Sequence, residues 1–521
     1  MKDQSRREFL EDVGRGMILT GLGASLACEL GVEAAFAKEG GTNVLDFGNL
    51  RPLVGLMQET PVAKLQPLLV KKLKSGKTTI KNLIAAAALA NAETFGGQDY
   101  VGFHTEMALL PAFQMVSELP KDRQALPILK VLYRNTHRIQ ESGRTKKKML
   151  HPIEAAKLSK QANGAKLLRE AVRAGKIKEA DAIFAARMSQ KELNDAYNEM
   201  MWYVQDDTDI HQFVLAHRAY VLIDLVGKEH AHTLLRQSVR QCAFHTAQRS
   251  KNRRYDPPIR RDIPKLVDQY RLLERKPGKR DPGDKWVAKM AQTIYEGSRE
   301  KAAEAIAGSL AEGISPEVIG EAISLAANQL VLRQNQKGRS GWRCHGDSPG
   351  VHASDAVNAW RNMIRSCNSR NVMVGLLVAA YYTARRFPYK QEAYPHAKHR
   401  AEIKGTDAKT LLSEAEEAIR SNEQGVAAAA IQTYSEKGFA ARPVFDLMLR
   451  YAISEDGRLH SEKYYRTVVE EFATTRKSLR WRQLVSLARV TASAYGYSRH
   501  DKKGVRAPGY EEACRLLGVK A

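Results

Sequence analysis

Four histidines in this 521-residue chain share one local pattern. Each follows an apolar residue, lies five residues after a carboxylate, and opens a stretch with apolar residues at helical spacing. The histidines are His104, His211, His352 and His460, and the carboxylates are Asp99, Asp206, Asp347 and Glu455. A neutral imidazole can bind a metal ion or accept a proton, and a nearby carboxylate can add a ligand or orient the ring.

If these side chains converge on one pocket, they supply the donor groups of a mono- or dinuclear non-haem metal site. We therefore predict that the four histidines are metal ligands or catalytic proton acceptors, with the carboxylates as co-ligands or orienting groups. Iron, manganese and zinc are the candidate ions. In the alternative interpretation, the carboxylates stabilise helix starts and the histidines are core residues copied by duplication.

The loop before His352 is the second candidate site, because loops carry functional residues more often than buried elements do. Its sequence, GWRCHGDSPGVH, places four chemically versatile side chains together, which we predict to bind a cofactor: Trp342, Arg343, Cys344 and His345. Cys344 beside His345 could also form a nucleophile and base pair. Adjacent residues seldom face each other productively, so we favour this second reading less.

The four histidine segments align without a gap, which predicts a repeated structural unit. Counting each His as position 0, apolar residues at +5, +8 and +12 lie on one helical face. A second helix follows, with apolar residues at +24: Ile128, Leu235, Leu376 and Leu484. We predict four degenerate helical hairpins with a repeat of about 110 residues. His217 is off the apolar face and is predicted to lie near the surface, while His230 and His232 are predicted at a loop or helix end.

The chain as a whole is predicted to be all-α, because Ala- and Leu-rich helical patterns dominate and alternating strand patterns are scarce. We expect one helical-repeat domain over residues 38–521, arranged around a central pocket, with units near 76–135, 191–250, 314–390 and 440–497. Segments rich in Pro, Gly and charge predict loops near residues 136–150, 251–285 and 387–408.

The N-terminus has the pattern of an export signal. SRREFL, with Arg6 and Arg7, resembles the twin-arginine motif, a weakly apolar stretch follows, and AFA fits a cleavage site. Residues 1–37 are thus predicted to be a signal read by the twin-arginine export machinery, leaving a periplasmic or extracellular protein. Disulfides are permitted there, although spacing reveals no pairing of Cys242, Cys344, Cys367 and Cys514. No later stretch reaches the ~18 apolar residues of a membrane span.

The chain is strongly basic, with a formal net charge of +24 and a pI near 9.7. Such a balance favours anionic partners, and for an exported protein a glycan or lipid surface is a better candidate than nucleic acid. This gives an alternative function, a non-enzymatic envelope scaffold. It would bind anionic polymers through basic loops that contain Lys146 to Lys148 and Arg253-Arg254.

The segment ISLAANQLVLRQN…GVHASDAVNAWRN resembles the all-helical questin oxidase-like family, and EDGRLHSEKYY is similar in character. The similarity covers the short histidine segments. It implies an oxygen-using oxidoreductase that acts on a hydrophobic ring substrate, with the four histidines as site residues. Our predicted function is therefore an exported metal-dependent or oxygen-using oxidoreductase, whose substrate, metal and oligomeric state the sequence leaves open.

Overall fold

The computed structural model describes residues 44–143, 148–159, 161–251, 255–335, 346, 348–384, 389–454, 458–496 and 510–520. Within these residues every regular element is a helix, and a single isolated bridge joins Arg280 to Ile314. The prediction of an all-α fold is confirmed. The four-unit repeat and the domain bounds remain predictions.

The α-helices of the described residues run in the following order. They are α1 (Arg51–Glu59), α2 (Val62–Lys74), α3 (Ile80–Phe95), α4 (Tyr100–Met115), α5 (Leu126–Glu141), α6 (Gly164–Arg173), α7 (Ile177–Gln190), α8 (Leu193–Val204), α9 (Ile210–Val226), α10 (Ala231–Arg249), α11 (Ile259–Gln269) and α12 (Asp284–Glu296). The rest are α13 (Arg299–Ala311), α14 (Pro316–Arg333), α15 (Pro349–Met363), α16 (Ser369–Thr383), α17 (Ala397–Ala401), α18 (Ala408–Arg420), α19 (Gln424–Glu436), α20 (Arg442–Ala452), α21 (Arg458–Thr474), α22 (Trp481–Ala494) and α23 (Tyr510–Leu517). Short 3₁₀ turns lie at Gly48–Leu50, Val116–Glu118, Lys121–Arg123, Lys228–His230 and Leu272–Glu274.

Four helices at the centre of the fold carry the four patterned histidines, and we call α4, α9, α15 and α21 the histidine helices. Each histidine helix packs against the next histidine helix along the chain, and α21 packs back against α4, so the contacts form a closed ring. Each also packs against the helix that follows it, namely α5, α10, α16 or α22. The N-terminal turns of all four therefore meet at one end of the ring.

Apolar side chains at the predicted positions hold this arrangement together. The +24 residues of the second helices are all buried: Ile128, Leu235, Leu376 and Leu484. The residues before the histidines are buried as well: Phe103, Ile210, Val351 and Leu459. Helix α9 is buried on nearly all sides, as expected of a helix that is apolar around most of its circumference.

Side-chain caps fix the first turn of three histidine helices. Asp99 accepts a hydrogen bond from the Gly102 amide at the start of α4, and Asp209 accepts one from the His211 amide at the start of α9. Ser348 caps α15 in the same way. Such caps satisfy amide groups that have no partner within the helix, and here they fix the backbone that carries each imidazole.

The loop predictions need correction at three places. Helix α11 lies inside the segment predicted as a loop over 251–285, the short α17 lies inside that over 387–408, and α5 continues to Glu141. Residues Ile259, Ile263, Leu266 and Val267 of α11 form a buried apolar stripe at helical spacing. The loop was predicted because many charged residues lie between them in the sequence. In the structure these charged residues occupy the solvent-facing side of an amphipathic helix.

Two further predictions concern membrane spans and disulfides. None of the described helices is both long and apolar enough to cross a membrane. Among the described cysteines, no disulfide joins Cys242, Cys367 and Cys514. Cys344 and the predicted signal, residues 1–37, lie outside the described residues.

Candidate histidine site

The four patterned histidines lie together, and we call them the histidine cluster. Ring centroids are 4.7 Å apart for His104 and His211, 6.0 Å for His211 and His352, 5.3 Å for His352 and His460, and 5.6 Å for His460 and His104. Each imidazole thus neighbours two others, in the order of the helices around the ring. Residues that span more than 350 positions of the chain meet because their helices begin at one end of the fold.

Hydrogen bonds orient two of these imidazoles through backbone carbonyls. Nδ1 of His104 lies 2.6 Å from the Tyr100 oxygen, and Nδ1 of His352 lies 2.9 Å from the Ser348 oxygen. A carbonyl oxygen can only accept, so each Nδ1 carries the proton and donates it. The neutral ring then has its lone pair on Nε2, and Nε2 of His104 is buried without a hydrogen-bond partner.

His211 is oriented by a carboxylate. Its Nδ1 lies 2.6 Å from Oδ1 of Asp209, the residue that also caps α9, and its Nε2 is buried without a hydrogen-bond partner. Burial opposes ionisation of Asp209, but its bonds and proximity to His211 and His245 lower its pKa to about 2. The carboxylate therefore holds the Nδ1–H tautomer of His211 and leaves the Nε2 lone pair available.

The surroundings keep His104 and His352 neutral. Burial and the charge of Lys463 lower the pKa of His104 well below its usual value, and neighbouring imidazoles add to the effect. The pKa of His352 falls to about 3, through burial, then His460 and Lys463. Lys463 is 4% exposed and lies one turn after His460 on α21. Neutral imidazoles are the form that binds metal ions and accepts protons.

A cavity of about 520 Å³ opens beside His211. Aromatic side chains form much of its wall: Tyr100, Phe103, Phe244 and Tyr382. Asp209, His245 and Arg249 supply polar groups. The lining also includes Gln98, Asp207, Thr208, Gln241 and Gln248, so aromatic and polar groups share the wall of this cavity beside the histidine cluster.

Two of these polar residues were missed from the sequence. Asp209 lies two residues before His211, not at the five-residue offset, and His245 comes from α10, outside the repeated pattern. The Nε2 of His245 lies 3.5 Å from Oδ2 of Asp209, and its Nδ1 is 2.7 Å from Nε2 of Gln212. The only sequence signal for Asp209 was its suitability as a helix cap.

The carboxylates Asp99 and Asp206 are not placed as ligands. Asp99 caps α4 and binds Arg138, with Nε at 2.8 Å and Nη2 at 2.6 Å. Asp206 is 3% exposed and binds the guanidinium groups of Arg169 and Arg173. For these two residues the observed role is structural, because their oxygens are engaged by cap and arginine donors away from the imidazoles.

Other predicted site residues lie outside the described residues: Asp347, Glu455, Trp342, Arg343, Cys344 and His345. His217 needs correction, since it is 5% exposed, not at the surface. It lies beside Arg218 in a second cavity of about 220 Å³, because neighbouring helices enclose α9 on the side opposite its apolar stripe. His230 and His232 lie at the start of α10, as predicted.

The histidine cluster has the donor groups of a metal site, but these groups are not arranged in a metal-binding geometry. Among the described residues, no group of three or more His, Cys, Asp or Glu side chains is arranged to hold a metal ion. Imidazoles whose Nδ1–H is held by a carbonyl or carboxylate are nevertheless typical metal ligands.

Comparison with known proteins adds no relative. No family model, curated protein or solved structure matches this chain. The fold and site define an all-α protein with a cluster of four imidazoles beside a cavity lined by aromatic and polar side chains.

Proposed function

We propose that this chain is an exported oxidoreductase that reacts its substrate at the histidine cluster, with a transition-metal ion held by His104, His211, His352 and His460. The observation that carries the proposal is the closed ring of four neighbouring imidazoles, of which His104 is buried and the other three are partly buried. In three of them an oxygen atom lies at hydrogen-bond distance from Nδ1, which leaves Nε2 for a ligand. Imidazole donors suit iron and zinc, but zinc has no redox chemistry of its own, so iron or manganese would supply electron transfer.

The cavity supports the same proposal, because a substrate bound there would lie against His211. Its aromatic wall fits an apolar or ring-containing molecule, which agrees with the substrate class implied by the questin oxidase-like resemblance. The export part of the proposal rests on Arg6, Arg7 and the AFA sequence.

Metal analysis of protein purified without a histidine tag tests the proposal. We expect about one equivalent of iron, manganese or zinc in the parent, and loss of this metal when His104→Ala and His352→Ala are combined. A matched control, His151→Ala, removes an exposed histidine and should keep the metal. A parent without stoichiometric metal, together with unchanged stability of the double variant, would overturn the metal part.

A second role is favoured by the bond between His211 and Asp209. An imidazole whose tautomer is fixed by a carboxylate, with its other nitrogen beside a cavity, is arranged to accept a proton from a bound molecule. This role needs no metal. It is the version that remains if the metal analysis is negative.

The scaffold alternative has less support. Among its basic residues, Lys148 lies 3.2 Å from the buried carboxylate of Glu93, so it contributes to the fold. Lys146, Lys147, Arg253 and Arg254 lie outside the described residues. A scaffold would also leave the Nε2 atoms of His104 and His211 without a purpose, since each is buried without a hydrogen-bond partner and such groups destabilise a fold.

A further inference from the structure

Four arginines lie around the buried carboxylate of Asp206, namely Arg169, Arg173, Arg260 and Arg370. Arg169 and Arg173 bind its oxygens directly, with distances of 2.8 Å and 2.7 Å. The guanidinium groups of Arg260 and Arg370 do not bind the carboxylate oxygens of Asp206. The guanidinium of Arg260 donates to the backbone oxygens of Asp206 and Tyr255, and both are neutral acceptors.

Arg370 is the least compensated of the four. Its guanidinium donates to the side-chain oxygens of Gln205, at 2.9 Å, and Asn371, at 2.6 Å, which are also neutral. It lies 4.0 Å from the ring centroid of Trp202. Burial and then the charge of Arg169 lower the pKa of Arg370 to about 10, which leaves it charged at neutral pH.

Asp207 is a second buried carboxylate near these arginines, 3% exposed, and its charge acts on Arg260. Asp207 accepts hydrogen bonds from the Tyr255 hydroxyl and the Thr208 amide. Asp256 and Asp268 are exposed to solvent, where water screens them. The interior of the site therefore has more guanidinium groups than carboxylates.

A cavity of about 190 Å³ lies between these arginines and an apolar wall. Its polar lining consists of Arg169, Arg370, Gln205, Asp206 and Asp268, and Trp202 lies beside them. Apolar side chains from α11 and α16 complete the wall: Ile259, Ile263, Val267 and Val374. Leu273 also lines the cavity and is 56% exposed, one of the few large apolar side chains at the surface. The cavity thus combines two guanidinium groups and two carboxylates with an apolar wall, and Arg370 is the guanidinium that donates its hydrogen bonds to neutral oxygens.

We propose that this cavity binds a small organic oxyanion, a carboxylate or phosphate joined to a short apolar group. Arg370 holds the oxyanion with its planar fork of N–H donors, a geometry that matches carboxylate and phosphate oxygens. The apolar group packs against α11 and Leu273. The site is separate from the histidine cluster, and the proposal does not depend on the function proposed there.

Ligand titrations at constant ionic strength test this proposal, with Tm and tryptophan fluorescence as readouts. The probes are hexanoate, hexyl phosphate, acetate and the neutral hexan-1-ol. We expect saturable binding of hexanoate or hexyl phosphate, weaker binding of acetate because it lacks the apolar group, and no saturable binding of hexan-1-ol. The tighter of the first two identifies the headgroup.

Arginine variants locate the binding. Arg370→Gln is expected to weaken binding of the tighter probe at least about tenfold. Arg370→Lys is expected to weaken it less, because lysine keeps the positive charge but lacks the planar set of N–H donors. The control Arg420→Gln removes an exposed arginine and should bind like the parent. Absence of saturable binding, equal binding of hexan-1-ol, or parent-like binding by Arg370→Gln would overturn the proposal.

Discussion

At the scale of single residues, burial decides which histidines stay neutral. His217 lies inside the fold, where burial, followed by the charge of Arg218, lowers its pKa to about 3. Glu470 and Asp355 act in the opposite direction, and Arg365 acts with Arg218. A histidine in such surroundings resists protonation in the folded chain, although it protonates near pH 6.5 when the chain unfolds.

This difference predicts that His217 makes the protein less stable in acid. Below about pH 6.5 the unfolded chain takes up a proton that the folded chain excludes, so the free energy of unfolding falls as pH decreases. Between pH 7 and pH 5 the loss from this one residue is about 2 kcal/mol. In the His217→Gln variant, the free energy of unfolding measured with urea should fall between pH 7 and pH 5 by about 2 kcal/mol less than in the parent.

The control for this prediction is His151→Gln, which changes an exposed histidine and should keep the parent's pH dependence. If His217→Gln and the parent lose stability equally between pH 7 and pH 5, His217 would have to be protonated in the folded protein, contrary to its burial.

At the scale of helices, close packing between histidine helices and their partners positions the cluster. Trp360, at position +8 of α15, is 1% exposed and lies against α16. A Cβ atom added at Gly375 of α16 would lie 2.8 Å from the Trp360 ring. Glycine at this position thus permits α15 and α16 to approach each other over a large aromatic side chain.

Gly375→Ala is therefore expected to destabilise the protein by about 1–3 kcal/mol, because the indole or the helix must shift. The matched control is Gly55→Ala in α1, where the added Cβ would meet no atom within 4 Å. There the better helix propensity of alanine should stabilise by about 0.5–1 kcal/mol. Chemical denaturation measures both, and stabilisation by both substitutions would contradict the close contact.

At the scale of the whole molecule, the ring closes where the first and last histidine helices meet. A buried ion pair reinforces this closure: Nζ of Lys130, on α5, lies 2.6 Å from Oε2 of Glu462, on α21. Lys130 also donates to the Ala452 carbonyl. The pair joins chain segments more than 300 residues apart, both with side chains 1% exposed.

Lys130→Met should cost about 3–5 kcal/mol of unfolding free energy, since it leaves the Glu462 carboxylate buried without its cation. The double variant Lys130→Met/Glu462→Leu should recover most of this loss, because two apolar residues can replace a buried pair. Denaturation of both variants provides the measurement. A double variant as unstable as the single one would show that the pair's charges are needed for closure.

The all-α class, the helix starts near the four histidines and the buried apolar positions such as Leu235 and Leu484 could be predicted from residue patterns, because helical periodicity is a local property. The contact between His104 and His460, the orientation of His211 by Asp209, and the arginine partners of Asp99 and Asp206 became known from the packed fold. Contacts such as these depend on how helices hundreds of residues apart pack, and residue spacing along one chain does not encode which side chains meet across a core.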